Sequence, residues 1–259
     1  MKIGVQMYSV HDFTKTLEDF SETLKKIADI GYTTVQVSGT CPYEPEWLRD
    51  ELKKNGLTCD LTHVPFDKVI EDPKKAVEDH KIFGCKYIGL GSMPGLWDSV
   101  NNQTTHQWTE FKEKAIPALE VLKENGAYYM YHNHHMEYMP VDGKRAMDFL
   151  KDEIPADLMG FTLDTHWIKR GGEDPVKEFK RFKGRIPCVH YKDLVIMPDG
   201  EERFAPVGHG TLDFEKIIQT SLDLGVEFAY VEQDKHYDGE DAFENLKKSY
   251  DYLKSMGLN

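Results

Sequence analysis

Residues 124–131 read ENGAYYMY, which is the end of a helical stretch, a glycine and then an apolar run. Glycine suits this junction because it adopts the left-handed conformation that ends a helix without a steric cost. The same order of helix, glycine and apolar strand recurs along the chain. It is found at Gly31, Gly56, Gly84, Gly184 and Gly225, and in a less regular form at Gly160.

The repeat has the size of one strand with its helix, because the glycines recur about every 32 residues. The strands after them are short and apolar without regular alternation, as expected of strands covered on both faces. With an opening strand near residues 2–7, they predict eight strands alternating with eight helices. This is the pattern of an α/β fold of the (β/α)8 TIM barrel type. An open doubly wound sheet is the alternative, although it usually has fewer strands.

The predicted domain organisation is one barrel over residues 1–259, since no linker, low-complexity stretch or change of composition divides the chain. A length of 259 residues is usual for a single barrel. The predicted helices cover residues 17–30, 45–55, 73–83, 108–125, 146–152, 175–182, 214–224 and 242–256.

Composition narrows the range of partners and locations. The formal net charge is -13, which disfavours binding to nucleic acid or to an anionic membrane surface. The four cysteines are scattered without a C-x-x-C pair, so neither a disulfide framework nor a structural zinc site is expected. The chain has no signal-peptide pattern and no long apolar span, and the cytoplasm is therefore the expected location.

Metal-ligand side chains concentrate where predicted strands five to eight end, the face of a barrel that carries chemistry. Asp164, His190 and Glu232 each follow directly on an apolar run. Neighbouring strands lie about 4.8 Å apart, so these side chains can meet at one ion. Alone, Asp164 could cap a turn and Glu232 could pair with Lys235. Together with a further carboxylate such as Glu137, they suit one divalent metal ion, which could be Mn, Mg, Co or Zn.

The motifs at these strand ends resemble those of the xylose isomerase-like TIM barrels, also called the sugar phosphate isomerase/epimerase family. The resemblance covers the second half of the chain and adds His63-Val64-Pro65 in the first. The motifs are Tyr131-His132-Asn133-His134 with Glu137, Leu163–Trp167, Val189–Asp193, Val207–Phe214 and Val231–Asp234.

The resemblance implies a metal held by Asp164, His190, Glu232 and one side chain from strand five. Many members carry a glutamate where this chain has His132, so the strand-five ligand is either Glu137 or His132. The metal is expected to act as a Lewis acid on a carbonyl and its neighbouring hydroxyl, which lowers the pKa of the adjacent C–H and stabilises the enediolate. Glu137 and Glu232 are the candidate catalytic proton carriers.

The expected activity is that of a sugar or keto-sugar/polyol isomerase or epimerase. Loss of a β-hydroxyl, as in the inosose dehydratases, and β-elimination from an oxidised glycoside share the first step and are the lyase alternatives. Expected contacts to this small-molecule substrate come from His63, His134, Trp167, Lys192 and His209. No phosphate-binding glycine loop is present, so an unphosphorylated substrate is favoured. Barrels of this type often pair, and a homodimer is an open alternative.

Two other classes of protein use the same barrel. Apurinic-site endonucleases need three zinc ions and a basic rim, whereas the early strand ends here offer mainly His63 and the net charge is -13. A non-catalytic sugar-binding barrel would be expected to have lost its metal ligands, yet Asp164, His190 and Glu232 are all present.

Overall fold

The computed structural model describes residues 1–100 and 102–259 and contains a closed barrel of eight parallel strands. We number the barrel strands one to eight in chain order. Each strand pairs with its neighbours in the chain, and strand one pairs with strand eight to close the barrel. The predicted (β/α)8 fold is thereby confirmed. The strands are Lys2–Gln6, Thr34–Val37, Thr58–His63, Tyr87–Leu90, Tyr128–His132, Met159–Asp164, Cys188–Tyr191 and Phe228–Val231.

The helices surround the barrel, and the predicted ones are all found with ends within three residues of the expected positions. They are Leu17–Ile30, Pro45–Asn55, Pro73–Ile82, Thr105–Glu124, Ala146–Glu153, Pro175–Arg181, Phe214–Asp223 and Ala242–Ser255. The short helices Phe66–Glu71 and Thr165–Arg170 were not predicted from the sequence. Two hairpins were not predicted either: Asp193–Ile196 pairs with Glu202–Ala205 after strand seven, and Pro140–Val141 pairs with Lys144–Arg145.

The glycine repeat marks helix ends in all but one of its positions. Gly31, with φ of 118°, and Gly56, with φ of 66°, each end a helix in the left-handed conformation. Gly160 is different because it lies inside strand six, seven residues after the preceding helix ends at Glu153. The seventh repeat was therefore counted correctly as a strand, although its glycine does not cap a helix.

Side chains alternate in direction along each strand and so form two packed layers, one inside the barrel and one between the barrel and the helices. Tyr129 and Tyr131 of strand five belong to the main core between barrel and helices, whereas Met130 points into the barrel. Glycines leave room inside for large neighbours: a Cβ on Gly4 would lie 2.6 Å from the Thr34 carbonyl oxygen and 2.9 Å from Tyr230 Cδ1. The barrel interior is filled by Leu61, Tyr87, Met130, Cys188, Phe228 and Tyr230.

This packing predicts that Gly4→Ala lowers the free energy of unfolding by about 1–3 kcal/mol, as overpacking in cores does. The matched substitution Gly56→Ala meets no atom within 4 Å and should cost only about 1 kcal/mol, through its left-handed backbone. Urea denaturation of both variants measures the difference. A Gly4→Ala cost no larger than that of Gly56→Ala would contradict the close packing at strand one.

Candidate metal centre and substrate cleft

Four buried side chains converge at the C-terminal mouth of the barrel. His132, Asp164, His190 and Glu232 each offer one ligand atom, and these atoms all lie within 4.8 Å of one another. His132 and Asp164 are the last residues of strands five and six, His190 lies near the end of strand seven, and Glu232 directly follows strand eight. Because neighbouring parallel strands end at the same rim, their final inward-pointing side chains form one group.

The orientation of His190 indicates what the group can bind. Its Nε2 lies 2.6 Å from Gln36 Oε1, so the Nε2 proton is assigned to this hydrogen bond and Nδ1 carries a lone pair. Nδ1 lies 2.8 Å from Glu232 Oε2 and 3.8 Å from Asp164 Oδ2. A lone pair that faces two carboxylate oxygens is repelled by them, and a cation between them removes the repulsion.

The carboxylates are held in place by one oxygen each, and the other oxygen is free. Asp164 Oδ1 accepts a hydrogen bond from the Trp167 backbone N–H at 2.8 Å, and Glu232 Oε1 accepts one from Gln6 Nε2 at 3.2 Å. Asp164 Oδ2, Glu232 Oε2 and His190 Nδ1 are buried, and none of them has a hydrogen-bond partner among residues 1–100 and 102–259. Buried polar atoms rarely lack a partner, and this donor set of two carboxylates and two imidazoles fits a divalent cation.

The charges of these side chains also favour a bound divalent cation. Burial raises the pKa of the Asp164 carboxyl well above its ordinary value. Burial acts in the same direction on Glu232, but the ammonium of Lys192 outweighs it, and the pKa of that carboxyl is lowered. Three carboxylates, of Asp164, Glu232 and Asp234, surround the single ammonium of Lys192. One divalent cation would therefore balance the charge of the ionised site.

Glu137, which the sequence predicts as a ligand and proton carrier, is not part of this group. Strand five ends at His132, which points inward, and the chain then turns through Met136–Tyr138. The Glu137 carboxylate is fully buried and accepts hydrogen bonds from the Tyr131 hydroxyl and the His134 backbone N–H, both at 2.9 Å. Tyr131 belongs to the layer outside the barrel. His132, the other candidate ligand from strand five, is the side chain that strand five contributes to the group.

Most of the predicted substrate contacts meet in one cleft of about 500 Å³ above the four side chains. His63, His134, Trp167 and Lys192 line it, together with Gln6, Tyr8, Ser38, Gly91, Ser92, Trp97, His132, Phe204, Glu232 and Asp234. Burial lowers the pKa of both His63 and His134 to about 3, so both imidazoles are neutral. They can exchange hydrogen bonds with an uncharged hydroxylated ligand.

His209 is the predicted contact that the structure leaves outside the cleft lining. It is exposed and lies beside Tyr252, with ring centroids 6.5 Å apart. Its loop folds around the Asp193 carboxylate, which accepts hydrogen bonds from the backbone N–H groups of Gly208, Gly210 and Leu212.

Gln6, Gln36 and Asp234 also belong to the site, although their roles were not predicted from the sequence. The two glutamines fix Glu232 and His190 from strands one and two, and Asp234 binds Lys192. The signal was available in the two-residue alternation of the strands. Gln6 and Gln36 share the register of paired strands, and Asp234 follows Glu232 by two residues in the loop after strand eight.

Comparison with known proteins identifies the family. The xylose isomerase-like TIM barrel family matches residues 24–256. The chain belongs to this family. An inosose dehydratase of Lacticaseibacillus casei is 26% identical to it over 90% of this chain and 88% of that protein. Family membership makes the chain part of a group of sugar-processing enzymes, whose substrates are small molecules.

Solved structures share the fold with this xylose isomerase-like barrel. A sugar phosphate isomerase/epimerase of Parabacteroides distasonis ATCC 8503 superposes with a TM-score of 0.82 at 24% identity, covering 98% of this chain and 93% of that one. A xylose isomerase-like TIM barrel protein of Mycobacterium smegmatis, solved in complex with magnesium, superposes with a TM-score of 0.71 at 15% identity, covering 98% and 95%. Among the helices described, none is long and apolar enough to cross a membrane.

The metal centre predicts that the purified protein carries about one equivalent of Mn, Co, Zn or Mg, and that Asp164→Ala/His190→Ala loses it. Elemental analysis measures the content. His209→Ala is the matched control because His209 lies outside the cleft lining, and it should keep the metal. Equal metal content in the double variant and the native protein would contradict the site.

Glu137 supplies a second prediction, because burial raises the pKa of its carboxyl from 4.5 to about 7. The unfolded chain ionises this group near pH 4.5 but the folded protein only near pH 7, so the free energy of unfolding falls as pH rises between these values, by on the order of 3 kcal/mol. Glu137→Gln should flatten this dependence and keep the metal. Denaturation at pH 5 and pH 8, with elemental analysis, measures both, and loss of the metal would restore Glu137 as a ligand.

Proposed function

We propose that this chain removes a proton from the carbon next to the carbonyl of a small keto-sugar or keto-polyol. The observation that carries the proposal is the set of three unpartnered buried atoms, Asp164 Oδ2, His190 Nδ1 and Glu232 Oε2, at the bottom of a cleft sized for a small ligand. A buried polar atom without a partner lowers stability, and such atoms are expected where a bound ligand supplies the missing interaction.

His132, Asp164, His190 and Glu232 would hold one divalent cation. Bound there, the cation supplies a Lewis acid that stabilises negative charge on a substrate oxygen. Glu232 is the proposed base, because the ammonium of Lys192 keeps its carboxyl ionised against the effect of burial on its pKa. The neutral imidazoles of His63 and His134 and the ammonium of Lys192 would orient the substrate hydroxyls in the cleft.

Among the possible outcomes of that first step, loss of a β-hydroxyl is the one we propose. Epimerisation needs a second proton carrier on the opposite side of the carbon, and the predicted one, Glu137, lies outside the cleft. Elimination needs only one proton carrier. Glu232 takes the C–H proton, the C–H electron pair forms the new C=C bond as the C–O bond breaks, and Glu232 passes the same proton to the departing hydroxyl, which leaves as water. The name of the Lacticaseibacillus casei relative, inosose dehydratase, supports this outcome.

Isomerisation or epimerisation, the outcome favoured by the sequence, is the second candidate. It is supported by His63 and His134, because a neutral imidazole has one nitrogen that donates and one that accepts a hydrogen bond, and could move a proton between neighbouring substrate oxygens, as isomerisation requires. The Parabacteroides distasonis neighbour is named as an isomerase/epimerase of sugar phosphates.

Incubation with inososes, ketoses and keto-glycosides in deuterated water, followed by mass spectrometry, tests the proposal. A substrate should lose one water, and recovered substrate should carry deuterium next to its carbonyl. Gain of deuterium without loss of water would support the second candidate instead. Glu232→Gln should reduce the exchange at least about a hundredfold, whereas Asp12→Asn, on the exposed rim, should not. Exchange that persists in Glu232→Gln would overturn the role of Glu232.

A further inference from the structure

Lys192 places its ammonium beside the two carboxylates of the proposed metal centre. Nζ lies 3.4 Å from Glu232 Oε2 and 3.7 Å from Asp164 Oδ2. These are the two oxygens that lack a hydrogen-bond partner and that face His190 Nδ1. The ammonium and a divalent cation therefore compete for the same pair of oxygens.

The Lys192 ammonium needs only a small movement to form hydrogen bonds with those two oxygens. It carries three protons and donates one hydrogen bond, to Asp234 Oδ1 at 2.6 Å. A shift of about 1 Å would bring Nζ within hydrogen-bond distance of both free oxygens. The four-carbon stem of lysine is flexible enough for such a shift.

The backbone of Lys192 is fixed, so its side-chain contacts alone set the position of the ammonium. Its N–H donates to Thr165 Oγ1 at 2.9 Å, and its carbonyl accepts from the same hydroxyl at 2.8 Å. Nζ lies 4.8 Å from the ring centroid of Trp167 and 5.2 Å from that of Phe204. These rings attract the ammonium, but each contributes only weakly. Within the described part of the chain, Asp234 supplies the one charged hydrogen bond to this ammonium.

We propose that Asp234 is a positioning residue that holds the Lys192 ammonium aside and so leaves Asp164 Oδ2 and Glu232 Oε2 free for a divalent cation. Without the Asp234 carboxylate, the ammonium satisfies the two free oxygens and becomes an internal competitor of the metal. The inference rests on the proposed metal centre, and it concerns how that centre is kept open.

Isothermal titration of the full-length protein with Mn²⁺ tests this with a double-mutant cycle of Asp234→Asn and Lys192→Met. Asp234→Asn should weaken Mn²⁺ binding by about 10- to 100-fold, as changes around metal ligands do. In the Lys192→Met background the same substitution should change the affinity by less than about threefold, because the competitor is gone. Asp12→Asn removes a carboxylate that lines the adjoining rim cleft without touching Lys192, and should leave the affinity unchanged.

Equal losses in the two backgrounds would overturn the inference, because Asp234 would then act on the cation directly. Asp234→Ser carries the same expectation, so the test stands if one variant fails to fold. Thermal unfolding of the metal-free proteins identifies such a failure. If the native protein binds no Mn²⁺, both the metal centre and this inference are wrong. If Mn²⁺ binds without coupling between the two positions, the inference alone is wrong.

Discussion

The buried negative charge of Asp164 and Glu232 is the constraint on which the site depends. Each carboxylate is held by one oxygen and leaves the other free. Burial of ionised carboxylates is costly unless positive charge and hydrogen bonds compensate. Lys192 supplies part of that charge, and the proposed cation would supply the rest. His190, fixed by Gln36 from the second strand, presents a lone pair to the same point and completes a donor set.

The barrel provides this arrangement because its strands end on one rim. Side chains that alternate along each strand divide into those that fill the interior, such as Met130 and Tyr230, and those that pack under the helices, such as Tyr131. The last inward side chain of each strand meets its neighbours at the mouth. The lower interior is apolar and the mouth is polar, so stability and binding are separated along the barrel axis.

Sequence reasoning was accurate where a local pattern determines the outcome. The helix–glycine–strand repeat predicted eight strands, and apolar runs placed Asp164, His190 and Glu232 at strand ends. It was less accurate where chain direction after a strand matters. Glu137 lies five residues beyond His132, and no local pattern indicated that the chain would turn outward there and bind the Tyr131 hydroxyl.

The other departures have the same physical origin. His209 lies in a loop whose path is set by backbone hydrogen bonds to Asp193, a contact between distant residues that periodicity does not record. The roles of Gln36 and Lys192 depend on distances across the mouth. Gln36 of strand two reaches His190 of strand seven, and Lys192, directly after strand seven, reaches Asp234 in the loop after strand eight. Such contacts follow from closure of the barrel and become visible only in three dimensions.

Anomalous diffraction from crystals grown with Mn²⁺ tests the central claim most directly. The proposed metal centre predicts one manganese peak among the side chains of His132, Asp164, His190 and Glu232. It also predicts that the Glu137 carboxylate keeps its hydrogen bonds to Tyr131 and the His134 backbone. A peak ligated by Glu137, or no peak at the barrel mouth, would contradict it.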